Sequence, residues 1–219
     1  MDAFKITLTL ASPLVAQKGG YMTLDGLLAA LKFEATGDLE QAHNDLPLQR
    51  TQGVWHASAA HLESWHVGRV GFVANLRAMH DMDIDLIARK KDGQPHSKLG
   101  LTRRSDFGAV MNSYNHHAAA AISWYAQGDA EAVERMLAGV SFIGKRRASG
   151  FGQVSGLHIE PDELNGVIGH FGEPLRPVPV QVFREVFGGD ASSLRVDAAW
   201  RPAYWHPDNR AICHVPESL

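Results

Sequence analysis

The sequence predicts an α+β fold, and three stretches carry that prediction. Residues 3–11 alternate apolar and polar side chains and lead into a leucine-rich helical pattern. Residues 129–159 run from a short helix through a basic, glycine-rich loop into a strand-like segment. Beyond residue 160, prolines and turn signals separate several short candidate elements.

In the opening stretch, Phe4, Ile6, Leu8 and Leu10 alternate with Lys5, Thr7 and Thr9, the pattern of a half-buried strand. Ser12-Pro13 ends it, and residues 13–21 form a loop containing Lys18-Gly19-Gly20. Thr23 fits a helix N-cap, with Asp25 in the first turn. Leu24, Leu27, Leu28 and Leu31 then share one helical face to about Phe33. Residues 34–52 are polar and read as irregular, or as a short helix through Leu39 and Ala42.

Residues 53–60 read as an extended segment of small side chains, and residues 67–76 as a strand. Residues 82–88 end at Arg89-Lys90-Lys91 and the Asp92-Gly93 turn signal, which Pro95 reinforces. Between Arg89 and Arg104 stand six Lys or Arg (89, 90, 91, 98, 103 and 104) against the single Asp92, a local charge of +5. A solvated hairpin tip would account for such a cluster without any function. Residues 107–124 begin as a strand and continue as helix or strand. Residues 129–137 read as a helix started by Asp129, and residues 153–159 as a strand.

Pro161, Asp162, Glu163 and Asn165-Gly166 then mark a turn, and Pro174, Pro177 and Pro179 a stiff extended connection. Residues 180–187 form a short strand or helix, residues 194–200 alternate weakly, and residues 211–215 make a last strand.

Composition bounds the function. At 219 residues and 45% hydrophobic content the chain can bury a real core. Its formal charge of −3 means that any attraction for nucleic acid is local. The one cysteine, Cys213, excludes an internal disulfide framework and a thiolate zinc site, and it fits a reducing cytoplasm. No segment approaches the length of a membrane span, and the N-terminus lacks the pattern of a signal peptide. His56, His61 and His66 are spaced so that they do not converge, and His116-His117 point apart. No metal site and no cofactor are expected.

The chemistry concentrates in the loop Gly144-Lys145-Arg146-Arg147-Ala148-Ser149-Gly150-Phe151-Gly152. Glycines allow positive φ, and successive N–H groups in such a loop form an anion-binding nest. No Lys-Ser or Lys-Thr pair closes it, so it is not a nucleotide P-loop. Three cations suit a polymer of phosphates better than one phosphate, and single-stranded RNA is the usual partner. Phe151 would stack on a base or pack under the loop, and Arg103 and Arg104 would extend the basic track. The competing reading is a tight turn with a solvated cationic rim. In the tail, Trp200, Tyr204 and Trp205 stand beside Arg201, His206 and Arg210. They fit either a clasp closing the core or a platform for RNA bases or a neighbouring subunit.

On the strand–helix opening, the loop from Gly144 to Gly152 with its closing Gly150-Phe151-Gly152, and the tail from Pro202 to Arg210, the chain resembles the RAMP superfamily of CRISPR proteins. Within it, the tail and the length resemble the small subunit of type IV effector complexes. The matching segments amount to well under half of the chain. The resemblance implies a ferredoxin-like (RRM-like) core over residues 1–160, with an inserted basic hairpin around 89–104 standing where some effector subunits carry a thumb. Residues 161–219 would be a C-terminal extension packed on that core.

The resemblance further implies a non-catalytic protein that binds guide RNA, caps its five-prime repeat-derived handle and seeds a filament of backbone subunits. Its partners would be the guide RNA and the backbone and large subunits, with target DNA a further candidate and no membrane. By position, residues Gly144 to Gly152, including Ser149, would clamp RNA, together with Lys18. The alternative is a metal-independent endoribonuclease that trims the guide precursor, with His43 as general base oriented by Asn44 and Asp45. An anion-binding enzyme unrelated to RNA ranks last, because no convergent nucleophile, base and metal set is visible.

Overall fold

The structure is a computed structural model, and it describes residues 2–16, 21–74, 89–94, 110–189 and 192–216. The chain divides into two compact units, residues 1–67 with 117–219 and residues 68–116. The architecture is mixed α+β and rich in sheet.

In the larger unit, β1 (Asp2–Leu10) is the middle strand of a three-stranded antiparallel sheet, between β6 (Ala121–Gly128) and β7 (Val154–Pro161). Ile6 lies opposite Trp124 on one side and Ile159 on the other, and Leu8 opposite Ile122 and Leu157. The predicted alternation holds: Phe4, Ile6 and Leu8 are buried while Lys5 and Thr7 are partly exposed. Helix α1 (Leu24–Thr36) lays Leu24, Leu28 and Ala29 into the same core. It runs one turn past Phe33 because nothing breaks it before Gly37, whose αL conformation returns its N–H to the Phe33 carbonyl at 2.8 Å. Helix α2 (Leu39–Asn44) is the short helix expected through Leu39 and Ala42 and is capped by Asp38. Helix α3 (Ala130–Leu137) is capped by Asp129 and adds Val133 and Leu137 to the core.

Residues 54–60 are buried throughout. Two residue pairs of this region form β2 (Arg50–Thr51) and β3 (Val54–Trp55). Antiparallel bridges then join Ala57 to Ala126 and His61 to Ser123, so this strip flanks β6 on the side away from β1. Trp55 and His56 are buried there alongside the small side chains of residues 57–60.

Residues past 161 build a second small sheet in the order β8 (Val178–Pro179), β10 (Arg210–His214), β9 (Arg195–Ala199). Residues 180–187 resolve as α4 (Val180–Glu185), whose Phe183 packs with Val54, Val167 and Val178.

The chain passes into residues 68–116 through β4 (Ser64–Ala74) and returns through β5 (Val110–Ala119), which pair as a two-stranded sheet. Within this unit Arg69 donates to Ser113 at 2.5 Å, and the Phe72 and Tyr114 rings meet edge to face. The turn at Asp92-Gly93 forms as expected, with Gly93 at φ 78° and its N–H on the Lys90 carbonyl. The stretch 82–88, the arginines Arg103 and Arg104, and Lys18 lie outside the described residues.

Candidate nucleic-acid interface

The basic loop is held by its backbone. Gly144, Arg146, Gly150 and Gly152 all take positive φ, at 77°, 61°, 85° and 71°. At Gly152 glycine is required, since a Cβ there would stand 2.0 Å from the Ile143 carbonyl oxygen. At Gly144 it would meet Leu14 at 2.7 Å and the Val15 carbonyl oxygen at 2.8 Å.

The expected nest is largely closed. The N–H groups of Lys145 and Gly152 bond to the carbonyls of Val15 and Pro13, both at 2.9 Å. Those of Ser149, Gly150 and Phe151 bond to the Arg146 and Arg147 carbonyls within the loop. Five donors are thus turned inward, which shifts the attraction for anions onto the side chains. Lys145, Arg147, Ser149 and Gly150 are exposed, whereas Arg146 and Phe151 are half-buried. Lys5, Lys32, Arg135, Arg176 and Arg210 each pair with a carboxylate. Among the described residues no carboxylate pairs with Lys145 or Arg147.

Lys145 and Arg147 help line a groove of about 550 Å³. One wall is the face of α1 carrying Gly26, Leu27, Ala30 and Leu31. Val140, Phe142 and Ile143 face it, and Val196 to Ala199 of β9 close the far side. The groove therefore unites the first helix, the basic loop and the C-terminal sheet, three regions far apart in sequence. A second hollow of about 400 Å³ shares Leu31, Glu34, Val140, Phe142 and Arg147 with it and continues to Ala148.

Beneath this surface lies a buried polar cluster that the sequence did not disclose. Arg176 and Asp25 are both fully buried and paired at 3.1 Å. Arg176 also donates to the carbonyls of Trp55, Ala57 and Trp200 and to the Tyr204 hydroxyl. Tyr204 accepts from Thr23 at 2.8 Å and donates to Asp25 at 2.7 Å. Burial pushes the Tyr204 phenol well above its ordinary range. Burial opposes the charge on Arg176, but the Asp25 carboxylate and Tyr204 outweigh it and the guanidinium pKa is raised. The cluster fastens the start of α1 to the C-terminal segment.

The other tail residues divide. Arg201 lies over the Trp200 ring, its carbon 4.7 Å from the centroid, and donates to Asn209. Arg210 pairs with Asp197 at 3.3 Å. The His206 ring accepts from the Asp208 N–H and meets Trp205 edge to face. Trp205 itself is 74% exposed and points outward. Tyr204 thus serves the clasp, and Trp205 is the large tail side chain left to solvent.

His43 sits on α2, half-buried, and burial lowers its pKa. Its neighbours are engaged elsewhere. Asn44 donates to the Glu40 carbonyl and accepts from Arg50, and Asp45 holds Lys32. Among the described residues, no three His, Cys, Asp or Glu form a group able to hold a metal ion. Nor is any helix there long and apolar enough to cross a membrane.

These observations define a mixed α+β protein in which Lys145 and Arg147, without carboxylate partners among the described residues, line a groove between the first helix and the C-terminal sheet. Residues 2–216 match the family model for CRISPR type IV associated protein Csf3, and the chain belongs to that family. It is accordingly a component of a type IV CRISPR complex. A search of curated proteins returns no match.

Proposed function

We propose that the chain is the guide-RNA-binding, non-catalytic subunit of a type IV effector complex, which caps the five-prime repeat-derived handle and seeds the backbone filament. The observation that carries this reading is the pair Lys145 and Arg147, lining a groove without a carboxylate partner among the described residues, in a chain of a type IV CRISPR family. Arg146, Ser149 and Phe151 belong to the same contact, with Trp205 and Arg201 available to RNA or a neighbouring subunit. The backbone and large subunits are its protein partners, target DNA a further contact, and the cytoplasm its compartment.

The strand order supports a ferredoxin-like RAMP core. The strip at 57–61, β6, β1 and β7 follow one another antiparallel, with α1 leaving β1 and α3 joining β6 to β7. That is the order of a split βαβ fold. In this reading residues 1–160 are the core with an inserted basic hairpin around 89–104, and residues 161–219 are the extension.

The test is a titration of repeat-derived five-prime handle RNA and an unrelated RNA at two salt concentrations, with uncut guide precursor in parallel. Handle binding that weakens with salt supports the reading. Each phosphate contact with a single strand adds about 0.7 to the slope of log affinity against log salt. Changing Lys145, Arg146 and Arg147 to Ala should therefore make the slope shallower by about 2. Precursor cleavage that His43→Ala abolishes would replace this reading with the endoribonuclease. No handle binding, even with the backbone subunit added, would refute RNA recognition.

A further inference from the structure

The geometry points to the groove between α1 and β9 as a pocket for a single unstacked nucleotide of the bound RNA, its base inside and its phosphate on Lys145 and Arg147. This inference rests on the RNA reading above and adds a site to it. Leu27, Leu31, Phe142 and Val196 make the walls apolar, which suits the face of a base and does not suit a phosphate. The volume of about 550 Å³ is in the range of sites that enclose small organic ligands.

The charges are sorted in the same sense. Glu34 and Asp197 line the groove, where a carboxylate repels phosphate but accepts from the N–H donors on a base edge. The Asp197 carboxylate forms an ion pair with Arg210 at 3.3 Å, and its backbone carbonyl accepts from the same guanidinium at 2.9 Å. The two cations without carboxylate partners stand on the loop side of the same groove. A ligand that satisfies both sets is apolar-faced with polar edges at one end and anionic at the other.

The second hollow favours a polymer over a free nucleotide. It shares Arg147 with the groove and continues to Ala148, so a strand leaving the pocket has a path past a cation. The pocket is shaped by Gly26 as well. A Cβ there would meet the Tyr204 ring at 3.1 Å, so glycine lets the ring lie against α1 at the groove's inner end.

The experiment uses the full chain and handle RNA carrying one abasic site, moved through the positions in turn. One position should be sensitive, its loss weakening binding about tenfold, the scale of one base contact. Ala30→Trp, which puts a ring into the groove from an exposed position on α1, should weaken intact RNA by a similar factor and leave the RNA abasic at the sensitive position unchanged. Lys145→Ala with Arg147→Ala should weaken every RNA in the series alike.

A flat abasic scan, with binding that still depends on Lys145 and Arg147, overturns the pocket and leaves the RNA reading standing. Loss of a co-purified backbone subunit in Ala30→Trp together with a flat scan would assign the groove to protein and equally overturn it. Failure of all RNAs to bind overturns both readings. The scan on the unaltered protein needs no variant to fold, and a melting curve for Ala30→Trp shows whether its effect comes from the groove.

Discussion

Replacing Arg176 with Met removes a fully buried cation. Asp25 is then left fully buried, with the Tyr204 hydroxyl at 2.7 Å as its remaining donor. The carbonyls of Ala57 and Trp200 lose the guanidinium that donates to them. Breaking one side of a buried pair costs about 3–5 kcal/mol. Asp25→Asn strands the cation instead and should cost a similar amount. In the double variant neither charge remains, so the total should fall short of the sum by about 2–3 kcal/mol. Urea unfolding of the four proteins, followed by circular dichroism, measures this coupling. Losses that add to within about 0.5 kcal/mol would refute the claim that the two charges stabilise α1 and the C-terminal segment as one unit.

Three further outcomes follow from local geometry. His56 is buried between Thr51 and Gln127, and its pKa is lowered by burial, with Arg176 adding to the effect against the Gln127 hydrogen bond. The unfolded imidazole takes a proton near pH 6.5 while the folded one resists. Stability is therefore complete above about pH 6.5 and declines below it, by at most about 1.4 kcal/mol per pH unit, and His56→Gln should flatten the urea midpoint over that range. Gly152→Ala should lower the melting temperature more than Gly150→Ala. Both sit at positive φ, but the new Cβ meets the Ile143 carbonyl at 2.0 Å in the first and open space in the second. Cys213 is buried, and burial pushes its thiol up to about 12, with Asp197 adding to it. Iodoacetamide at pH 8 should leave the native protein unlabelled by mass and label it fully in urea.

The elements with one buried face were legible in the sequence. β1 and α1 follow period two and period 3.6 because each lies between core and solvent. The strip at 54–60 was harder, since burial of every residue removes the apolar–polar alternation that marks a strand. Of the alanines at 118–121, Ala118 and Ala119 end β5, Ala120 is the bend and Ala121 begins β6, where strand pairing overrides a composition that suits a helix equally. Arg176 read as part of a proline-rich connection. Its partners Asp25 and Trp55 are 151 and 121 residues away, and nothing local marks a charge for burial.

The basic loop was legible as a loop with cations, but the inward N–H groups of Lys145 and Gly152 were not, because their acceptors Val15 and Pro13 come from the far end of the chain. The groove was invisible for the same reason, being assembled from α1, the loop and β9. Tyr204 and Trp205 are adjacent in sequence yet face opposite ways, one bonded to Asp25 and the other to solvent, a distinction that composition cannot make.

The central claim is that residues 144–152 hold the guide RNA. Ultraviolet cross-linking of the assembled complex, loaded with handle RNA and read by mass spectrometry of RNA-bearing peptides, tests it most directly. The account predicts handle nucleotides attached within residues 140–152, at Lys145 or Phe151. Cross-links from this chain to the handle that cluster elsewhere and spare that stretch would contradict it.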